Sequence, residues 1–430
     1  MSSFIIEGGY PLEGHVTPSG NKNEALPTLM ASLLTNEPVT LRNVPRIRDV
    51  LTVCQILEDV GASVEWIEEE TLRIDASKTH SWRPNTDLCS RARASILLLG
   101  PLLARFGKVE LAPPGGDVIG ARRLDTHFEG VAVMGGSYHF GNPITSEMPN
   151  EAKDTELYLD EPSVTATENL VMLASARKAT TTILNAACEP HVVGLCKMLI
   201  KMGADIQGVG TNQLKITGNT ELKGCDHKVG PDFMEIGSFL CLGAITKGTI
   251  SIGPVEIEDL RFSLKTLARI GIHPHYDPKT KNLTIGEQDM VMQADLDGRI
   301  GSLYSGPWPA FPSDLMSVTL VAATRAEGAM IFHEKMYEGR MFFTDKLMAM
   351  GANIVLCDPH RVVVTGPREL CGAHMSSPDV RAGMSMLMAA LIARGTSRID
   401  NIHQIDRGYT NIEEKLTRLG AQIKRVQVND

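Results

Sequence analysis

The chain has 430 residues, of which 43% are hydrophobic and 5% aromatic, and it carries a formal charge of -9. This length suffices for two domains with separate cores, and the composition, with 39 glycines, is typical of a soluble α/β protein. The negative charge argues against a broad nucleic-acid surface and against an anionic membrane as partners, although a small anionic substrate responds to local charge.

The N-terminal stretch MSSFIIEGGYPLEGHV has no basic segment, and its apolar run is short. It is therefore not expected to act as a signal peptide, and no run of 18 apolar residues predicts a membrane span. The eight cysteines form no CxxC pair and no zinc-ligand pattern with histidine. We expect reduced thiols in a cytoplasmic protein, with neither a metal nor an organic cofactor.

One phrase recurs six times: a helix-spaced apolar run, a glycine with a small residue, and a short β-like run. A second phrase, a helix followed by a strand, precedes each copy. The repeats are about 72 residues long, which is too small for six separate cores, so three repeats in each of two lobes are expected. The glycines are expected to adopt the left-handed conformation at helix ends. They are Gly61, Gly135, Gly203, Gly271, Gly351 and Gly420.

Several predicted helices are apolar on nearly every side. The stretches SVTLVAATRAE and GMSMLMAALIARG are examples. This pattern indicates helices buried inside each lobe with sheets outside, rather than helices that cover a central sheet.

The first candidate functional residue is Lys22, in the stretch SGNKNEALPTLMASLL. The apolar spacing places Lys22 and Asn23 at the start of a helix, where a lysine opposes the helix dipole. Two interpretations stay open at this point. Lys22 is either a solvated surface residue or a cation that joins the helix N-terminus in holding an anion.

Further basic residues flank apolar elements, although each one alone is compatible with a surface position. These are Arg91, Arg93, Arg122, Arg123, Arg340, Arg381 and Arg407. Two acids accompany them: Asp314 in PAFPSDL, predicted as a helix N-cap, and Asp117 in the loop PPGGDVIGARR. No GxxxxGK[ST], GxGxxG, GxSxG or HExxH motif occurs.

The motifs SGNKNEALP, RARASILLLGPLLARFG, PPGGDVIGARRLDTH, PSVTATEN, FPSDL, PDVRAG and IDRGY resemble those of the UDP-N-acetylglucosamine 1-carboxyvinyltransferase (MurA) family, within the EPSP synthase superfamily. The resemblance runs from residue 4 to about residue 426. It implies a two-lobed inside-out α/β barrel built from six βαβαββ repeats, three in each lobe. One lobe would comprise residues 22–230 with a lid loop at 113–123. The other would comprise residues 1–21 and 231–430, with the active site in the cleft between them.

The resemblance also implies a reaction, in which the enolpyruvyl group of phosphoenolpyruvate (PEP) moves to the 3-hydroxyl of UDP-N-acetylglucosamine and phosphate is released. Lys22, Arg122 and Arg407 would contact PEP, with Arg340 and Arg381 in the same cationic cluster. Asp314 would be the base near the hydroxyl, and Asp379 would orient the arginines or assist proton transfer. The residues implied for the sugar-nucleotide site are Asn23, Arg93, Asp125, Ser163, Val164, Asp314 and Met336.

Asp117 occupies the position where most members of the family carry a reactive cysteine and some carry aspartate. The resemblance implies that Asp117 sits at the tip of a lid and protonates C3 of PEP. An ordinary aspartate has a pKa of about 3.9, so this role requires an environment that raises its pKa. Because fosfomycin alkylates the thiol of the family, the aspartate predicts resistance to that compound.

The sequence departs from the commonest family pattern on the nucleotide side, at Arg123, Glu161, Thr165, His191 and Phe233. The cations expected on the PEP side are all present. Two alternatives therefore stay open beside UDP-N-acetylglucosamine as acceptor. They are an enolpyruvyl transferase with another acceptor, such as a different nucleotide, and a non-catalytic paralogue that binds a sugar nucleotide. The oligomeric state is not indicated by the sequence.

Overall fold

The computed structural model describes residues 2–115, 120 and 122–427. These residues form two compact units. We call residues 20–115 with 122–230 the insert unit, and residues 2–19 with 231–427 the terminal unit, because it contains both ends of the chain. Within the described residues, no helix is both long and apolar enough to cross a membrane.

The strands are short, and we number them in chain order. They are β1 (Ser2–Glu7), β2 (Gly14–Val16), β3 (Val39–Arg42), β4 (Ser63–Glu68), β5 (Thr71–Asp75), β6 (Lys108–Leu111), β7 (Ser137–His139), β8 (Ile144–Glu147), β9 (Thr155–Tyr158), β10 (Thr180–Leu184), β11 (Asp205–Gln207), β12 (Gln213–Thr217), β13 (Asp226–Lys228), β14 (Thr249–Ile252), β15 (His275–Asp277), β16 (Asn282–Gly286), β17 (Gly301–Tyr304), β18 (Gly328–His333), β19 (Asn353–Asp358), β20 (Arg361–Gly366), β21 (His374–Ser376), β22 (Thr396–Asp400) and β23 (Gln422–Gln427).

The helices alternate with these strands. They are α1 (Lys22–Ala31), α2 (Arg48–Asp59), α3 (Thr86–Arg91), α4 (Leu99–Phe106), α5 (Asp125–Val133), α6 (Val164–Ser175), α7 (Pro190–Met202), α8 (Phe233–Ile245), α9 (Arg261–Leu267), α10 (Ser313–Ala323), α11 (Thr344–Ala349), α12 (Val380–Ile392) and α13 (Ile412–Arg418).

The described strands form six sheets, three in each unit, as the six sequence repeats predict. The insert unit holds the sheets β13-β3-β5-β4, β6-β8-β7 and β11-β12-β10-β9, and the terminal unit holds β21-β22-β1-β23, β15-β16-β14-β2 and β17-β18-β20-β19. Each four-stranded sheet has one parallel and two antiparallel pairs. This is the topology of a βαβαββ repeat.

The sheet β6-β8-β7 has three strands among the described residues. In the four-stranded sheets a parallel strand lies at one edge, whereas here the irregular segment around Trp82 and Arg83 lies beside β6. The Glu110 N–H donates to the Trp82 carbonyl at 3.2 Å, and Arg83 pairs with the Glu110 carboxylate at 3.0 Å. These contacts cover the edge of β6 without forming a regular ladder.

The central helices are buried on all sides, as predicted. In the terminal unit α10 packs against α8 and α12, and in the insert unit α6 packs against α4, α5 and α7. Nearly every residue of α8, α10 and α12 is buried, whereas strands such as β12 alternate between buried and exposed positions. The helices therefore lie inside each unit and the sheets outside. The six repeat glycines all have φ between +84° and +111°, as expected at left-handed helix ends.

Candidate active site

Lys22 opens helix α1 of the insert unit, as predicted. The Asn21 side chain caps this helix by accepting the backbone N–H groups of Asn23 (2.9 Å) and Glu24 (3.1 Å). Only 13% of the Lys22 side chain is exposed, and its Nζ lies 2.6 Å from Asp49 Oδ2. Lys22 is thus an ion-paired residue and not a solvated one, and the pair fixes an ammonium group beside the helix N-terminus.

Arg93 supports the chain segment that precedes α5. Its Nη2 donates to the carbonyl oxygens of Arg122 (2.9 Å) and Arg123 (3.3 Å). Arg123 pairs with Asp125 at 2.8 Å and with Asp160 at 3.1 Å, which joins this segment to the loop before α6. The Arg122 side chain has no ion-pair partner in the part of the chain that the structure describes. Arg93 therefore positions backbone, and Arg122 offers a cation that forms no ion pair with the described residues.

The other predicted residues of the insert unit lie at helix starts. Asp125 is the first residue of α5 and is exposed, and Asn23 is the second residue of α1 and is partly buried. Ser163 caps α6, with its Oγ 3.4 Å from the Ala166 N–H, and Val164 is the first residue of that helix. A helix N-terminus with an adjacent hydroxyl favours phosphate groups.

A buried histidine joins α5 to α6 behind these residues. The Asn169 side-chain oxygen accepts the Gly100 N–H at 2.8 Å, so its amide nitrogen donates to His127 Nδ1 at 2.9 Å. The other ring nitrogen lies 3.0 Å from Thr165 Oγ1 and can donate to it. Burial, aided by the Arg93 charge, lowers the pKa of His127 to about 3. The imidazole is therefore neutral and structural, and Thr165, one of the departures, is its acceptor.

Asp314 is the centre of a charged cluster in the terminal unit. Its Oδ1 accepts Arg340 Nη2 at 2.5 Å, and its Oδ2 accepts Arg381 Nε at 2.8 Å. Burial alone would raise the pKa of Asp314, but the two arginines outweigh burial and hold it well below its usual range. The prediction that Asp314 is an N-cap is wrong. Pro312 is the cap residue and the helix begins at Ser313, because the Asp314 carboxylate binds the arginines rather than backbone N–H groups.

Glu334, which no sequence pattern singled out, connects the start of α10 to the segment that precedes Arg340. Glu334 is completely buried, and its carboxylate accepts the Ser313 hydroxyl (2.8 Å) and the N–H groups of Met336 (2.9 Å) and Tyr337 (3.3 Å). Met336 itself is 37% exposed. Arg340 Nε is buried and has no hydrogen-bond partner among the described residues.

Arg381 and Asp379 stand at the start of α12. The Asp379 side chain caps the helix by accepting the N–H groups of Arg381 (2.8 Å) and Ala382 (3.0 Å). It therefore orients Arg381 through the backbone. Arg381 Nη1 donates to the hydroxyl of Tyr409 at 3.2 Å, and no sequence pattern assigned a role to this tyrosine. Arg407 lies in a 3₁₀ turn, and its Nη1 donates to Gln404 Oε1 at 3.1 Å.

Two groups of predicted residues fall outside these clusters. Asp117 lies outside the described residues. Of the departures, Phe233 is buried with its ring centroid 6.0 Å from that of Trp308, and His191 is buried at the start of α7. Within the described residues, no group of three or more His, Cys, Asp or Glu side chains could hold a metal ion.

Each unit therefore presents several cationic side chains, an arrangement suited to anionic substrates. The insert unit contributes Lys22 and Arg122, and the terminal unit contributes Arg340, Arg381 and Arg407.

Comparisons with known proteins agree with this chemistry. Residues 6–416 match the family described as EPSP synthase (3-phosphoshikimate 1-carboxyvinyltransferase). The chain is 48% identical over 427 residues to the UDP-N-acetylglucosamine 1-carboxyvinyltransferase of Borreliella burgdorferi, covering 99% of this chain and 100% of that protein. It is 48% identical over 423 residues to the corresponding protein of Bradyrhizobium diazoefficiens, covering 98% of each.

Solved structures show the same fold. The enolpyruvyl transferase NikO from Streptomyces tendae superposes with a TM-score of 0.87 at 23% identity, covering 100% of this chain and 99% of NikO. EPSP synthase from Acinetobacter baumannii superposes with a TM-score of 0.77 at 18% identity, covering 99% of this chain and 100% of that protein. The chain thus has the two-unit α/β architecture of these transferases, and it belongs to the UDP-N-acetylglucosamine 1-carboxyvinyltransferase family within the EPSP synthase family.

Proposed function

We propose that the protein transfers the enolpyruvyl group of PEP to the 3-hydroxyl of UDP-N-acetylglucosamine and releases inorganic phosphate. The observation that carries this proposal is the full-length similarity, at 48% identity, to UDP-N-acetylglucosamine 1-carboxyvinyltransferases. The reaction would supply a precursor of peptidoglycan. Its proposed setting is the cytoplasm, and all eight cysteines are free thiols, as in a reducing compartment.

The arginine clusters support an anionic substrate. PEP carries a phosphate and a carboxylate, and arginine binds both groups with paired N–H donors. Arg340 Nε is buried without an acceptor among the described residues, and the same part of the chain offers none to Arg381 Nη2. Because most buried polar groups are hydrogen-bonded, a substrate anion is a natural acceptor. We assign PEP contacts to Lys22, Arg122 and Arg407, with support from Arg340 and Arg381.

The reaction proceeds by addition and then elimination. The sugar oxygen bonds to C2 of PEP while a proton is added at C3. The bond between C2 and the phosphate ester oxygen then breaks, C3 loses a proton, and inorganic phosphate leaves with that oxygen. Asp314 is the proposed acceptor of the hydroxyl proton, and Asp117 is the proposed donor to C3. Asp379 supports Arg381 through its cap.

Asp314 needs a change of environment before it can act as a base. Paired with Arg340 and Arg381, its carboxylate holds protons weakly. A bound phosphate or carboxylate would compete for the same guanidinium groups and thereby raise the pKa of Asp314. PEP binding would thus prepare the carboxylate for the hydroxyl proton, which couples the base to the presence of the second substrate.

The sugar nucleotide is assigned to the helix starts of the insert unit and to the Asp314 region. The α6 N-terminus with its Ser163 hydroxyl is suited to the diphosphate. The full proposed set is Asn23, Arg93, Asp125, Ser163, Val164, Asp314 and Met336.

Phosphate release from PEP tests this function. The purified protein would be assayed with PEP alone and with UDP-N-acetylglucosamine, UMP or shikimate 3-phosphate as acceptor. Release that depends on UDP-N-acetylglucosamine supports the proposal. Release with only another acceptor would favour a different enolpyruvyl transferase, consistent with the departures at Glu161 and Phe233. Binding of the sugar nucleotide without any release would indicate a non-catalytic paralogue.

A further inference from the structure

Tyr409 places a buried hydroxyl beside the charged cluster of the terminal unit. The residue is 3% exposed, and its hydroxyl lies 3.1 Å from Ser238 Oγ on α8 and 3.2 Å from Arg381 Nη1 on α12. Arg381 in turn reaches Asp314 on α10. Tyr409 thus bonds directly to α8 and to Arg381 on α12, the arginine at the proposed PEP site, and it is connected to α10 through Arg381.

The direction of each hydrogen bond follows from the chemistry of the groups. A guanidinium group can only donate, so the Tyr409 oxygen accepts from Arg381. The Ser238 hydroxyl donates to the Met234 carbonyl at 2.8 Å, which leaves its oxygen free to accept the Tyr409 proton. The chain therefore runs from Arg381 through Tyr409 and Ser238 to the backbone of α8. The hydroxyl protons of Tyr409 and Ser238 both have acceptors.

This chain fixes the orientation of the Arg381 guanidinium plane. Nε is held by Asp314 and Nη1 by Tyr409, and the guanidinium carbon lies 5.6 Å from the centroid of the Tyr409 ring. Two anchored nitrogens define a planar group, so the position of Nη2 is set as well. Among the described residues Nη2 has no acceptor, and it is the nitrogen left to meet a ligand.

We propose that Tyr409 is a positioning residue for enolpyruvyl transfer, which orients Arg381 so that Nη2 points to an anionic group of PEP. This inference rests on the proposed function, in which Arg381 supports PEP binding. Tyr409 itself does not touch the reacting atoms in this account. Replacement of Tyr409 should therefore have no effect on PEP binding when residue 381 has no guanidinium group.

The first test is Tyr409→Phe, which removes the hydroxyl and keeps the ring. The KM for PEP should rise roughly tenfold, since a hydrogen bond to a charged group is lost, while the KM for UDP-N-acetylglucosamine stays within about twofold. Thr319→Val is the matched control, because Thr319 is a buried hydroxyl on α10 that bonds the Leu315 carbonyl at 2.7 Å. This control should leave both KM values unchanged. Equal changes of both KM values in Tyr409→Phe, or none, would overturn the proposal.

A double-mutant cycle with Arg381→Lys tests the route of the effect. In the Arg381→Lys background, Tyr409→Phe should change the KM for PEP less than about twofold, because a lysine has no second nitrogen for Tyr409 to orient. A full tenfold effect in that background would show that Tyr409 acts by another route. Ser238→Ala provides an independent variant should Tyr409→Phe fold poorly, and it should shift the KM for PEP in the same direction by a smaller factor.

Failure of the proposed function is separable from failure of this inference. If the wild-type protein releases no phosphate from PEP, the proposed reaction fails. The role of Tyr409 is then measured by isothermal titration with PEP and with inorganic phosphate. Weaker anion binding by Tyr409→Phe than by Thr319→Val supports the inference, and equal binding refutes it.

Discussion

The Lys22 ammonium lies 2.6 Å from the Asp49 carboxylate, and both side chains are almost enclosed, at 13% and 11% exposure. Lys22 begins α1 and Asp49 lies in the first turn of α2, so the ion pair joins the starts of two helices. A lysine at a helix N-terminus is unfavourable by itself, and the acid compensates that cost while it holds the ammonium in place.

Replacement of Asp49 tests the importance of this pair. Asp49→Asn leaves Lys22 without its carboxylate partner, so kcat/KM for PEP should fall at least tenfold, and the free energy of unfolding should fall by about 3 kcal/mol. Steady-state kinetics and denaturant unfolding measure both. Asp226→Asn is the control, since it breaks the exposed pair of Arg42 and Asp226 and should cost less than about 1 kcal/mol without loss of activity. Normal turnover by Asp49→Asn would show that Lys22 needs no such anchor.

The stability contributed by Asp314 should depend on pH in a defined direction. Its folded-state pKa is lowered, so the stabilisation is complete above the unfolded value of about 4 and is lost as the pH falls below it. Asp314→Asn should reduce the free energy of unfolding by about 3 to 5 kcal/mol between pH 5 and 8, because it removes the carboxylate with which two enclosed guanidinium groups are paired. Urea unfolding at several pH values should show that the difference in unfolding free energy between the wild type and Asp314→Asn decreases below about pH 4. A difference in unfolding free energy that increases in acid would contradict the ion-pair account.

Activity provides a second readout on the same residue. Asp314→Asn should lower kcat by at least a hundredfold, as expected for loss of a group that accepts a proton. An unchanged kcat would remove Asp314 from the proton transfer.

Glu334 should matter through the groups it holds. Glu334→Ala removes the acceptor for the Met336 and Tyr337 N–H groups and for the Ser313 hydroxyl, so kcat/KM should fall about tenfold or more and stability by about 2 kcal/mol. Glu334→Gln keeps one acceptor oxygen for the two N–H groups, so its kcat/KM and its stability should both be close to those of the wild type. If the alanine and glutamine variants were equally impaired, the negative charge rather than the hydrogen bonds would be responsible.

Asp117 leads to a prediction about inhibition. An aspartate cannot form the thioether by which fosfomycin captures the cysteine of the family, so prolonged incubation with fosfomycin should leave phosphate release unchanged. Asp117→Cys should become sensitive, with a covalent adduct on that residue visible by mass spectrometry. Irreversible inactivation of the wild-type protein would mean that Asp117 does not occupy the cysteine position.

Much of the fold follows from local sequence features. The repeat glycines, the helix-wide apolar runs and the spacing of the repeats together predict six repeats with internal helices, because each signal depends on residues close in sequence. The βαβαββ order of each repeat was implied by the family resemblance. The interactions that fix the site depend instead on contacts between distant elements. Asp49, Glu334 and Tyr409 were therefore not identified from the sequence, although an acid at the end of the apolar run AMIFHE is a signal that points to Glu334.

The helix starts were predicted with mixed success for a related reason. Lys22 begins α1 as its apolar spacing indicates. Asp314 has the composition and place of a cap, but two arginines from later in the chain, Arg340 and Arg381, bind its carboxylate. The ion pairs with these distant arginines thus determine the role of Asp314, although its local sequence favours a helix cap.

The measurement that tests the central claim most directly is the identity of the product formed from PEP and UDP-N-acetylglucosamine. Mass spectrometry and NMR of the reaction mixture should show one enolpyruvyl group joined through an enol ether to the sugar 3-oxygen, with one phosphate released for each PEP consumed. Phosphate release that leaves UDP-N-acetylglucosamine unmodified, with pyruvate as the other product, would contradict enolpyruvyl transfer.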